Sequence, residues 1–152
     1  MDKKIFEEIA RELKMLNNEA VELIKIKKYE EAKKMYQIAS NISELVGYKQ
    51  GVGMSAYSLA NIEIIKKDHI AALHYAELAY ANYSELVDKE EASSLIKKLA
   101  LQLVRDGIEQ EKQRNIDEAL KFFNYALPHL NKKRKEVILY EITMLRRMKT
   151  GE

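Results

Sequence analysis

The sequence contains no cysteine, only one proline and only five glycines in 152 residues. Without cysteine it has no disulfide, no thiol nucleophile and no cysteine-ligated zinc, and such a chain suits a reducing cytoplasm. Proline and glycine both fall below their usual shares of about 5% and 7%, so little interrupts regular structure. Long apolar runs are also missing: charged residues break every one before the ~20 residues that a bilayer span needs. The first sixteen residues carry Glu7, Glu8, Arg11, Glu12 and Lys14 among their apolar members, and so lack the continuous apolar segment of a secretory signal. A cytoplasmic location, with no membrane partner, is the expectation.

What the chain has instead is charge and helix formers. Charged residues make up 33% of it, against a typical ~25%. The richness in lysine, isoleucine and glutamate fits a prokaryotic protein and favours helices over strands. Net charge is only +2, which gives no strong general pull toward nucleic acid. The charge is unevenly placed, however. Residues 132–149 hold seven basic side chains, Lys132, Lys133, Arg134, Lys135, Arg146, Arg147 and Lys149, against Glu136 and Glu141. The body of the chain is correspondingly acidic.

Periodicity predicts an all-α fold of about seven helices in one domain. Phe6, Ile9, Leu13, Leu16, Ala20 and Leu23 recur at intervals of three and four, which places them on one stripe of a first helix capped by Asp2. A second helix runs from about Tyr29, with Ala32, Met35, Tyr36, Ala39, Ile42 and Leu45 on its apolar face, and stops at Gly47. The segment 47–53 reads as a turn into a third helix carrying Ala56, Leu59, Ala60 and Ile64. Asp68 caps a fourth with Ala72, Tyr75, Ala76, Ala79 and Leu86. Asp88 opens a fifth with Leu95, Leu99, Leu103 and Gly107. Asn115 caps a sixth with Ala119, Phe122, Phe123 and Ala126, which ends near Pro128, and Asn131 caps a seventh with Val137, Ile138, Tyr140, Ile142, Leu145 and Met148. Connections this short require antiparallel neighbours.

The chain repeats itself. Lys28-Tyr29-Glu30-Glu31-Ala32, Asp68-His69-Ile70-Ala71-Ala72 and Asn115-Ile116-Asp117-Glu118-Ala119 correspond, and Ala39, Ala79 and Ala126 each follow seven residues later. Asn41-Ile42-Ser43-Glu44-Leu45-Val46 is echoed by Asn82-Tyr83-Ser84-Glu85-Leu86-Val87. With Leu59-Ala60-Asn61-Ile62 before Asp68, and Gly107, Phe123 and Leu127 around the third copy, the sequence resembles the tetratricopeptide repeat family in a variant of about forty residues per repeat. The resemblance covers roughly residues 7–130. It implies three helical hairpins (about 2–46, 47–87 and 88–130), a capping helix at about 132–149 and a right-handed superhelical array. Glu19, Asp106, Glu63 and Gln110 depart from the family pattern, which has apolar or aromatic residues there. The first 46 residues also resemble the microtubule-interacting-and-transport domain, which accounts for only about three helices.

In tetratricopeptide arrays the first helices of successive hairpins line a concave groove that binds a peptide. Carried onto this chain, that face would hold Lys14, Asn17, Val21 and Lys25, then Met54, Tyr57, Asn61 and Ile65, then Leu101, Val104, Arg105 and Ile108. Asparagines can hydrogen-bond a peptide backbone in both senses, a tyrosine is a favoured anchor, and Lys14 and Arg105 can receive a carboxylate. The carboxylate clamp of some family members is incomplete, because Val21 and Val104 stand at its polar positions. The apolar stripe Leu101, Val104 and Ile108 requires cover, from a peptide, a second copy or the last helix.

Other chemistry finds little footing in the residues. His69 and His74 are five apart, whereas a helical zinc pair wants four, so no metal is expected. Segment 47–53 lacks the Gly-Lys-Ser/Thr ending of a phosphate loop. No serine has a recognisable base beside it. No cofactor and no catalytic residue are expected. The expected function is a non-enzymatic protein- or peptide-binding adaptor or scaffold. The alternatives are a self-assembling structural protein, or a nucleic-acid-associated protein using the basic patch Lys132, Lys133, Arg134 and Lys135.

Overall fold

The computed structural model describes residues 2–151. Among them are seven α-helices and no strand: α1 (Lys3–Lys25), α2 (Tyr29–Leu45), α3 (Lys49–Ile65), α4 (His69–Asn82), α5 (Leu86–Lys112), α6 (Ile116–Ala126) and α7 (Lys132–Thr150), with a 3-10 turn at Leu127–His129. The chain divides into two compact units, residues 1–93 and 94–152, with the boundary inside α5. None of the described helices is long and apolar enough to cross a membrane.

Four connections share one geometry. Lys27, Gly47, Lys67 and Arg114 all adopt the left-handed conformation, at φ of 61°, 71°, 62° and 61°. The residue after each donates its backbone N–H to a carbonyl five residues back: Lys28 to Leu23, Tyr48 to Ser43, Asp68 to Glu63 and Asn115 to Gln110. This is the Schellman closure, which satisfies the last carbonyls of a helix and reverses the chain. Glycine stands at only one of the four left-handed positions. Asp68 and Asn131 cap α4 and α7 by accepting from Ala71 and Arg134 backbone N–H, whereas the Asn115 side chain makes no such bond to α6.

The α4–α5 connection is built differently. Gln50 of α3 accepts from the Ser84 N–H at 2.8 Å and the Glu85 N–H at 3.3 Å. Its amide nitrogen donates to Asp88 at 2.6 Å. One side chain thereby ties off the start of α5. That helix begins at Leu86 rather than Asp88, so Leu86 belongs to α5 and is 70% exposed, not part of the α4 core face.

Within residues 1–93, α1 packs on α2, α2 on α3 and α3 on α4. Ala20, Ala32, Tyr36, Leu59 and Ile62 form one core, and Ala56, Ala79, Tyr83 and Ala92 form another. Alanine at the crossings lets backbones approach. Segment 47–53 is not a turn throughout. Gly51 and Gly53 lie inside α3, because a Cβ at Gly51 would fall 2.5 Å from Ser43 Oγ, and one at Gly53 2.7 Å from the Tyr83 ring. Leu45 is 86% exposed, and the α2 stripe continues through the buried Ser43 instead. Glu63, 2% exposed, is paired with Lys33 across α2 and α3 at 2.8 Å. That hydrogen bond holds the lysine ammonium above its ordinary range. Glu63 is therefore the α3 half of a helix-to-helix pair.

Within residues 94–152, Leu99, Leu103, Phe123, Ile138, Ile142 and Leu145 are buried. Gly107 of α5 faces Phe123 of α6, and a Cβ there would lie 2.5 Å from the ring. Gly107→Ala is expected to destabilise the protein by roughly 0.5–2 kcal/mol, the ~1–3 kcal/mol of overpacking less the ~0.5–1 kcal/mol that alanine gains over glycine in a helix. Arg114→Gly should stabilise it by about 0.5–1 kcal/mol, because the left-handed conformation costs a non-glycine residue ~1–2 kcal/mol and glycine returns part of that as entropy. Urea unfolding of both variants reads the two signs.

Candidate binding sites

Residues 1–93 hold a pocket of about 250 Å³ between α1, α2 and α3. Ala10, Leu13, Lys14 and Asn17 line it from α1, Tyr36, Ala39 and Ser43 from α2, and Gly51, Met54 and Ser55 from α3, with Tyr48 between the last two helices. Gly51 lets α3 close on this wall of the pocket, since any side chain there would run into Ser43 and Tyr48. The Tyr48 ring is held edge-on against Phe6, with centroids 6.4 Å apart and planes at 74°. Ser43 is fully buried, and its Oγ has no hydrogen-bond partner among the described residues. A buried hydroxyl left so costs about 1–3 kcal/mol.

Of the groove residues that the resemblance implies on α1 and α3, Lys14, Asn17 and Met54 meet at this pocket. Val21, Lys25, Tyr57, Asn61 and Ile65 lie outside it. Tyr57 is half-buried and packs on the core, its ring 6.4 Å from that of Tyr83. Burial and then Glu91 raise its phenol, and burial, followed by Asp88, Tyr57 and Glu91, pushes Tyr83 up to about 12. Both rings stay neutral near pH 7 and act as packing groups. Asn61 and Ile65 are exposed. Ser43, Tyr36, Tyr48 and Gly51 were not among the expected site residues. A serine standing where α2's apolar stripe should continue was the available signal.

Residues 94–152 hold a second site, a cleft of about 490 Å³ between α5 and the start of α7. Val104, Ile108, Val137 and Ile138 supply aliphatic surface, and Asn131, Lys133 and Arg134 supply the polar part. Two residues of the expected groove thus meet two of the basic patch. Leu101, Arg105, Lys132 and Lys135 do not line the cleft, and Arg105 reaches Gln102 at 3.3 Å. No carboxylate among the described residues lines it.

Apart from both sites, Glu111 of α5 stands beside Glu141 of α7, and its Oε1 is buried with no hydrogen-bond partner among the described residues. Among the described residues no group of three or more histidine or acidic side chains is placed to hold a metal ion. No known protein family, curated protein or solved structure matches the chain.

The Glu111–Glu141 pair has a pH consequence. Burial first, and Glu141 second, push the Glu111 carboxyl above its usual range. A carboxyl raised by folding favours the protonated form. Its contribution to stability is present below the unfolded value of 4.5 and is lost as pH rises through the folded value. Glu111→Gln, which removes the charge and keeps the shape, is expected to raise the melting temperature at pH 7. The gain should disappear below about pH 4.5, in a melting series across pH.

Proposed function

We propose that this chain is a non-enzymatic polypeptide-binding module of tetratricopeptide-like build, an adaptor that takes an apolar side chain of its partner into the pocket between α1, α2 and α3. The observation that carries the reading is the pocket itself, a largely apolar hollow with the exposed Lys14 and Asn17 on its rim.

Three further features support a peptide. The pocket's ~250 Å³ lies below the ~300–1,000 Å³ usual for sites of drug-sized ligands and suits one anchoring side chain. Its walls are largely apolar, while Lys14 and Asn17 stand exposed beside it. They offer a charge and an amide to the backbone that carries the anchor. The hydroxyl is not set up as a nucleophile, for activation needs a base within hydrogen-bond reach and Ser43 Oγ has no such partner among the described residues.

A random peptide library selected on the purified protein tests the reading, with affinities measured by calorimetry. Met54 is 51% exposed, so Met54→Glu should fold normally. It should weaken the selected peptides about tenfold or more, as loss of an anchor contact does. Failure to enrich any peptide, or equal affinity for the wild type and the variant, would sink the reading.

A further inference from the structure

Two surfaces of this chain are complementary. The first is the cleft of residues 94–152. Its aliphatic floor includes Ile108 and Val137, which are 41% and 59% exposed. Lys133 and Arg134, both exposed, line the same cleft. They stand at the start of α7, where the helix dipole disfavours cations, so an anion beside them brings more than ordinary relief. Asn131 already accepts from the Arg134 N–H through its oxygen, which leaves its amide nitrogen to donate.

The second surface is the start of α5. Leu86 and Val87 are 70% and 73% exposed and adjacent, and the side chains of Glu85 and Glu90 beside them are exposed too. Lys89, the cation in this segment, is turned aside. Its Nζ donates to the Tyr80 carbonyl at 2.8 Å and sits 4.7 Å over the Tyr80 ring. An acidic, aliphatic projection and a basic, aliphatic cleft thus occur on one molecule.

We propose that the α5–α7 cleft receives the start of α5 from a second copy of this chain, with Leu86 and Val87 against Ile108 and Val137, and Glu85 and Glu90 toward Lys133 and Arg134. The contact joins two different surfaces, so it closes as a two-fold dimer where it is reciprocated and builds rings or open chains where it is not. It is a small surface, and small interfaces bind weakly, so assembly depends on concentration and weakens with salt. The site is separate from the peptide pocket of residues 1–93, and either can fail without the other.

The absence of cysteine makes the test direct. Single variants Leu86→Cys and Val137→Cys are mixed in a glutathione buffer, where disulfides equilibrate and report proximity. Both positions are exposed, and circular dichroism checks that each variant is folded. The mixed disulfide should exceed its statistical share. Adding Lys133→Glu and Arg134→Glu should return it to that share, as should replacing Leu86→Cys by Leu45→Cys, whose leucine is equally free at 86% exposure. In sedimentation, the wild type should gain mass with concentration, and the charge-reversed variant should associate about tenfold more weakly or worse. Statistical disulfides with a monomeric wild type at every concentration would overturn the proposal and leave the cleft to a different acidic partner. A monomer that binds an RNA oligomer through Lys133 and Arg134, with steep salt dependence, would overturn it in favour of nucleic acid.

Discussion

Helices approach closely in this protein because the residues at their crossings are small. Ala20, Ala32, Ala56, Ala60, Ala72, Ala76, Ala79, Ala92, Ala100, Ala119 and Ala126 are fully enclosed. Glycine takes over where even a methyl group is too large, at Gly51, Gly53 and Gly107. An alanine contributes little apolar area of its own. Such a core depends on neighbouring backbones meeting, and on the larger side chains that close each crossing: Tyr83 over Gly53, Phe123 over Gly107, Tyr48 over Gly51. The same closeness places polar groups in dry surroundings. Ser43 and Glu63 are buried as a result, one without a hydrogen-bond partner among the described residues and the other held by Lys33.

The turns impose a second constraint. Four connections close by the same pair of backbone hydrogen bonds, and three of them force a long basic side chain into the left-handed region. Lysine and arginine at these places also sit at helix C-termini, where their charge meets the exposed carbonyls. That attraction offsets part of the conformational cost and gives a reason for the sequence to tolerate it. The left-handed residues Lys27, Gly47 and Lys67 are spaced at twenty-residue intervals, and the next comes at Arg114, after the long helix α5. The repetition is therefore carried by the backbone as well as by the Ala-to-Ala spacing.

Much of this could be read from the residues alone, and what could not has physical causes. Apolar periodicity located all seven helices, because a stripe at intervals of three and four has one interpretation in a chain so poor in breakers. It misread segment 47–53, because glycine signals both a turn and a close approach, and only the neighbouring Ser43 and Tyr83 distinguish the two. It placed Leu45 and Leu86 in the core, because stripes say nothing of where a helix runs out of neighbours. Lys14, Asn17 and Met54 were foreseen at a common face, but Tyr57 turned out to be spoken for by Tyr83. The pairings Gln50 with Asp88 and Lys33 with Glu63 join residues thirty or more apart, and no local pattern encodes them.

The two candidate sites lie where close helix packing gives out. At Gly51, removal of a side chain brings α3 against α2 and leaves the floor of the pocket to a serine hydroxyl. Between α5 and α7 the aliphatic stripe that began as ordinary helix packing continues past the point where it is covered, and α7 begins there with a run of cations. A helix start is an unfavourable place for three lysines and an arginine in succession. Acidic residues open α2 and α6, as Glu30 and Glu31 and as Asp117 and Glu118, whereas α1 and α3, like α7, begin with lysine. The α7 start is set apart by the length of its basic run, which leaves one side of the cleft cationic with no carboxylate among its lining residues to match it.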